Sequence, residues 1–170
     1  MDSILNLLSS IFTGTSRDTL EIFTQLFLAV LLGGLIGFER ELAKKTAGMR
    51  TFSLVALGAA MFSIISSNGF KSLLGVSSFD PSRIASQVVV GIGFIGGGSI
   101  IFSQSKVKGL TTAAGLWVAA AIGMAVGYKL YAIALFATAL TIFVLVAMWY
   151  LEHKFVKKLH GAAARDDEDH

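Results

Sequence analysis

Residues 22–38 read IFTQLFLAVLLGGLIGF, seventeen positions without a formal charge, closed by Glu39-Arg40-Glu41. A surface helix of a water-soluble domain needs a polar face, and this stretch has none. As a helix rising 1.5 Å per residue it is long enough to cross most of a ~30 Å hydrocarbon layer. Four more charge-free stretches follow at 51–70, 84–105, 109–128 and 130–151. They confine all 25 charges of the 170-residue chain to the segments between them. Hydrophobic residues make up 54% and mean hydropathy is +0.72. This pattern excludes a disordered chain and predicts an all-α integral membrane fold with five transmembrane helices.

The expected organisation is an N-terminal interfacial helix and linker over 1–18, a five-helix domain over 19–152, and a polar cytoplasmic tail over 153–170. Ile4, Leu7, Leu8, Ile11 and Phe12 share one helical face in a segment too short to span. The start, Met1-Asp2-Ser3, lacks the positive region of a signal peptide. Asp18 with Glu21 forms a capping-box pattern for the first span, and Asp80-Pro81 suits the start of the third. Thr111 or Thr112 is the expected cap of the fourth.

Orientation follows from the basic residues. Arg40, Lys44, Lys45, Arg50, Lys106, Lys108, Lys154, Lys157, Lys158 and Arg165 fall on one side; Arg17, Lys71, Arg83 and Lys129 fall on the other. The N-terminus is therefore expected outside and the C-terminus in the cytoplasm.

Helices in lipid associate through close packing, so small residues mark their contacts. Gly33 and Gly37 lie on the first span; Gly91, Gly93 and Gly97 on the third; Gly115 and Gly123 on the fourth, within a four-residue stripe from Thr111 to Gly127. The fifth span has no glycine. The first, third and fourth spans are expected to form the tight centre, with the fifth toward lipid. The glycine run at 91–98 is open to two readings, close helix contact or an unwound segment exposing carbonyls as in transporters.

Chemistry-bearing residues gather at the span ends. No Asp, Glu, Lys, Arg or His lies within a charge-free stretch, which argues against a pump. A carboxylate at a helix C-terminus and a cation at a helix N-terminus both oppose the dipole, so Glu39 or Glu41 is expected to pair with Arg50. Asp80, Arg83, Gln87 and Gly91 share one face of the third span; Asp80 serves as a cap and Arg83 as an interfacial anchor, or both belong to a site. Gln87 lies deep enough that its amide needs a partner. Trp117 lies inside the fourth span, where packing is the expected role. The chain has no cysteine, no nucleotide-binding loop and no catalytic or metal-ligand cluster. An enzyme, a cofactor, a bound metal and a nucleic-acid partner are therefore not expected. The expected partners are the lipid bilayer, another membrane protein, and a second copy of the chain.

Four ordered motifs carry a family resemblance. They are Gly33-Gly34-Leu35-Ile36-Gly37-Phe38-Glu39-Arg40-Glu41; Ala47-Gly48-Met49-Arg50-Thr51; Asp80-Pro81-Ser82-Arg83-Ile84-Ala85 running through Gln87 to Gly98; and Val107-Lys108-Gly109-Leu110-Thr111-Thr112-Ala113-Ala114-Gly115-Leu116-Trp117. Together they resemble the MgtC/SapB family of bacterial inner-membrane proteins. The resemblance implies a helical inner-membrane domain linked to magnesium homeostasis and, in some relatives, to virulence. It favours regulation of partner membrane proteins, ATP synthase in some cases, over direct transport. Longer members carry a soluble C-terminal domain, where this sequence continues for only about twenty polar residues past the fifth span. The alternative to a regulator is a transporter or channel for magnesium or another small solute. Its site would lie between the third and fourth spans, lined by Gln87, the 91–98 backbone and Thr112.

Overall fold

The computed structural model describes residues 17–69, 82–103 and 106–166. The proposed interfacial helix over 1–16 and Asp80 with its capping role lie outside them. Among the described residues five α-helices run in chain order: α1 (Arg17–Leu42), α2 (Met49–Ile64), α3 (Ser82–Gly98), α4 (Leu110–Gly127) and α5 (Tyr131–Asp166). A π-helical turn, Ile65–Gly69, extends α2. A two-stranded antiparallel hairpin, β1 (Ile101–Ser103) and β2 (Lys106–Lys108), joins α3 to α4. Among the described residues four helical segments, Thr19–Leu42, Met49–Ser67, Leu110–Gly127 and Tyr131–Leu151, are long and apolar enough to cross a membrane. At 17 residues α3 is the shortest of the apolar helices except for α2 without its π turn.

The centre is built by α1, α2 and α4. On α1 the buried positions are Gln25, Ala29, Leu32, Gly33, Ile36, Gly37 and Arg40, steps of three and four residues that make one stripe. A Cβ at Gly33 would lie 2.6 Å from the Phe52 carbonyl oxygen and 2.8 Å from Ala56 Cβ; one at Gly37 would lie 2.6 Å from Met49 Cα. On α4 a Cβ at Gly115 would touch the Phe52 ring at 3.2 Å, and one at Gly123 would run into the Ala56 carbonyl. At Gly33, Gly37 and Gly123 the backbones approach closely because no side chain separates them. Ser53 Oγ adds a 3.2 Å hydrogen bond to the Val30 carbonyl of α1.

The same contacts set direction. Gly115 meets Phe52, and Gly127 meets Ala60 and Ser63, so α2 and α4 run parallel. Gly96 near the end of α3 rests on Ala113 near the start of α4. The starts of α2 and α4, the end of α3 and the hairpin therefore share one end of the bundle.

The sequence-based centre of first, third and fourth spans is thus corrected. The second span takes the place of the third, because α3 buries only Ile92 and Gly96. Most of α5 is exposed outward, with 11% of its span buried against 50% for α4. The α5 helix continues to Asp166, into the segment expected to be a polar tail. The third charge-free stretch also overshoots its helix: after Gly96-Gly97-Gly98 the Ser99 hydroxyl donates to the Gly96 carbonyl at 2.7 Å and the chain turns into β1. Three successive glycines forfeit helix propensity where that turn is made. Gly109 caps α4 at φ 95°, against the Ser99 carbonyl, a position only glycine fills without strain. Thr111 and Thr112 consequently fall inside α4 rather than at its cap.

Candidate functional site

At the end of the bundle where α2 begins, the expected pairing of Glu39 or Glu41 with Arg50 gives way to a different arrangement. Because α1 stays helical to Leu42, Arg40 falls on the buried stripe and is 3% exposed. A buried guanidinium needs a carboxylate, and Glu39 supplies it with both oxygens, one accepting from Arg40 Nη2 at 2.6 Å and the other from Nε. Glu41 instead accepts from the Met49 backbone N–H at 3.1 Å and lies against Gly48. It thus satisfies a first-turn donor of α2, whose preceding residue, Gly48, has no side chain to do so. With both carboxylates taken, Arg50 has no ion pair among the described residues.

Arg50 stands at the end of a groove between α2 and α3, with a volume of about 690 Å³. Its walls are apolar apart from Arg50, Thr51 and Gln87, and Ala120 of α4 contributes to the lining. Gly58 on α2 and Gly91 on α3 line it, and a Cβ at either would meet nothing within 4 Å. The groove exists because those positions carry no side chain and because α3 leans on α4 rather than on α2.

The other nominated residues separate. Gln87 and Gly91 belong to this α2–α3 groove, not to a space between the third and fourth spans, while Thr112 is buried on α4 outside the lining. Arg83 is exposed at the start of α3. Trp117 is 50% exposed, so it faces outward instead of packing in the core. Thr111 is exposed as well. The α3 glycines assigned to helix packing do not all pack. The helix is unbroken through Gly98, and Gly91, Gly93 and Gly97 each face open space. At 100° per residue, Gly93 and Gly97 share an outer face with Val90 and Phe94, its centre about 110° around the helix from Gly91. Phe94 is 87% exposed.

One functional-looking residue escaped the sequence reading. Gln25, 1% exposed, donates from Nε2 to the Val126 carbonyl at 3.3 Å, at the C-terminus of α4, and its Oε1 has no partner among the described residues. Its place on the α1 stripe, four residues before Ala29, was the available signal. At the same end, Glu21 pairs with Lys129 at 2.9 Å on the surface.

Comparison with known proteins agrees with the architecture. The family model described as "MgtC family" matches residues 26–154. YhiD of Escherichia coli K12, named as a candidate magnesium transporter, is 42% identical over 142 residues, covering 82% of this chain and 66% of that protein. Protein MgtC of Brucella abortus is 49% identical over 114 residues, covering 67% of this chain and 45% of the relative. An uncharacterized protein of Haemophilus influenzae is 39% identical over 131 residues, 75% and 54% of the two chains. The chain thus spans between about half and two thirds of the length of these curated relatives. No solved structure matches it.

Proposed function

The chain belongs to the MgtC family, a multi-pass membrane protein, and on that premise we propose that it is a magnesium-linked regulator or accessory of other membrane proteins. In this reading it works by helix contact and carries out no reaction of its own. It sits in the bacterial inner membrane with five spans, N-terminus outside. At 17 residues α3 is about 26 Å long, at the lower limit for a span, and the ten-to-four division of Lys and Arg orients the bundle. The magnesium link rests on the names of the relatives.

The observation that carries the regulatory reading is the outer face of α3. Gly33, Gly37, Gly115 and Gly123 are used up inside the bundle, whereas Gly93 and Gly97 lie open beside Val90 and Phe94. In lipid such a face is suited to a partner's helix. Arg83, at the start of the same helix, adds a charge at the membrane boundary.

Direct transport is the second reading, favoured by the α2–α3 groove and by the name of YhiD. Magnesium requires oxygen ligands, usually carboxylates with retained waters, and the groove presents a guanidinium and no carboxylate among its lining residues. A cation there meets repulsion.

Two measurements test the proposal together. In cells lacking their own copy, the wild-type chain is expected to restore growth at limiting magnesium, while Gly97→Leu restores little despite normal membrane levels. Purified protein in liposomes is expected to pass no magnesium above empty vesicles. Magnesium flux, or full rescue by Gly97→Leu, overturns the regulatory reading.

A further inference from the structure

The α2–α3 groove lies on the face of α3 away from the one assigned to a partner helix, and it has a chemistry of its own. We propose that it is a binding site for a single anionic phospholipid, with the acyl portion along the groove and the phosphate on Arg50.

The dimensions select the occupant. The groove's α2 wall extends from Arg50 to Phe62, twelve residue steps and about 18 Å of helix, slightly more than one leaflet of a ~30 Å hydrocarbon layer. Its volume is about 690 Å³. A helix with its side chains is about 10–12 Å in diameter. Alkyl chains are far thinner and match the apolar walls.

Charge selects the head. The polar groups are not spread evenly: Arg50 and Thr51 stand together in the first turn of α2, where helix N–H groups add partial positive charge. Glu39 is held by Arg40, and Glu41 is held by the Met49 N–H, so Arg50 has no carboxylate partner among the described residues. An apolar trough ending in an uncompensated guanidinium is complementary to an amphiphile with a phosphate head, since guanidinium and phosphate form forked, charge-assisted hydrogen bonds. A zwitterionic headgroup brings its own cation to the same place and gains less.

The full chain, released from bilayers of equal phosphatidylglycerol and phosphatidylcholine with identical acyl chains, can be weighed with its bound lipid by native mass spectrometry. The wild type is expected to retain phosphatidylglycerol about fivefold over phosphatidylcholine, the preference one basic residue confers near a membrane surface. Arg50→Ala is expected to bring the ratio to about one, and Arg50→Lys to keep most of it, because the attraction rests on charge. Gly58→Leu with Gly91→Leu fills the groove from positions that face open space, so the protein stays folded and both lipid adducts are lost. An equal ratio for wild type and Arg50→Ala overturns the proposal. So do adducts that survive in the filled variant, or a lipid-free dimer as the main species. None of these outcomes depends on whether the protein regulates a partner.

Discussion

The glycines of α4 and those of α3 look alike in the sequence and have opposite fates. On α4, Gly123 and Gly127 are contact points where the backbones of neighbouring helices nearly touch, and Gly115 makes room for the Phe52 ring. On α3, Gly91, Gly93 and Gly97 touch nothing. The arginines repeat the contrast at one end of the bundle: Arg40 is buried and neutralised by Glu39, and Arg50 is left at the mouth of a groove. A residue type that favours close approach or charge pairing states a capacity. Which copies use it internally, and which remain available to lipid or to another protein, depends on which helix the neighbours choose to cover.

The contrast can be broken most severely at Gly123. Gly123→Leu puts its first carbon against the Ala56 backbone, which cannot rotate away as a side chain could. Overpacking ordinarily costs about 1–3 kcal/mol, and a backbone obstacle is expected to bring the loss to at least ~3 kcal/mol in unfolding from mixed micelles. A variant as stable as wild type would show that α2 and α4 are not in contact there.

The arginines come next. Arg40→Ala leaves Glu39 partly buried without its partner and is expected to cost ~2–4 kcal/mol, below the full penalty for a buried pair because Glu39 is 17% exposed. Arg50→Ala is expected to stay within ~0.5 kcal/mol of wild type in the same unfolding experiment, as a surface change. Similar losses at both positions would erase the distinction between them.

The smallest effect has the opposite sign. Gly97→Ala adds a methyl to open space on a continuous helix and removes backbone freedom from the unfolded chain, so a gain of ~0.5–1 kcal/mol is expected. Unfolding midpoints measured beside those of Gly123→Leu would separate the two glycine classes. A loss at Gly97 would mean that α3 packs more tightly than its open faces indicate.

Much of this fold was legible beforehand, for a specific reason. A membrane helix cannot leave charge in hydrocarbon, so gaps in the charge pattern trace helices closely. The first stretch, 22–38, lies within α1, and 109–128 is α4 to within a residue at each end. The method failed at 84–105, because absence of charge does not require a helix. Ile101 and Phe102 are apolar enough to belong to a span, yet they lie in an exposed hairpin strand. The ends of α1 were misread through its length. Stopping the helix at Phe38 releases Glu39 to reach Arg50; continuing it to Leu42 turns Arg40 inward and brings Glu39 with it. Gln25 was readable from the same three- and four-residue spacing and was passed over because it carries no charge.

The sequence by itself determined the class of the molecule and the family, because both are written in the order of apolar runs and local motifs. It also made close helix contacts feasible, through eighteen glycines. Tertiary structure alone decided where those contacts fall. Packing is a competition among faces: α2, not α3, fits between α1 and α4, since Phe52 and Ala56 meet the glycines of both. Once that place is taken, α3 can only lean on α4 through Gly96, and its remaining glycines border a groove on one side and open space on the other.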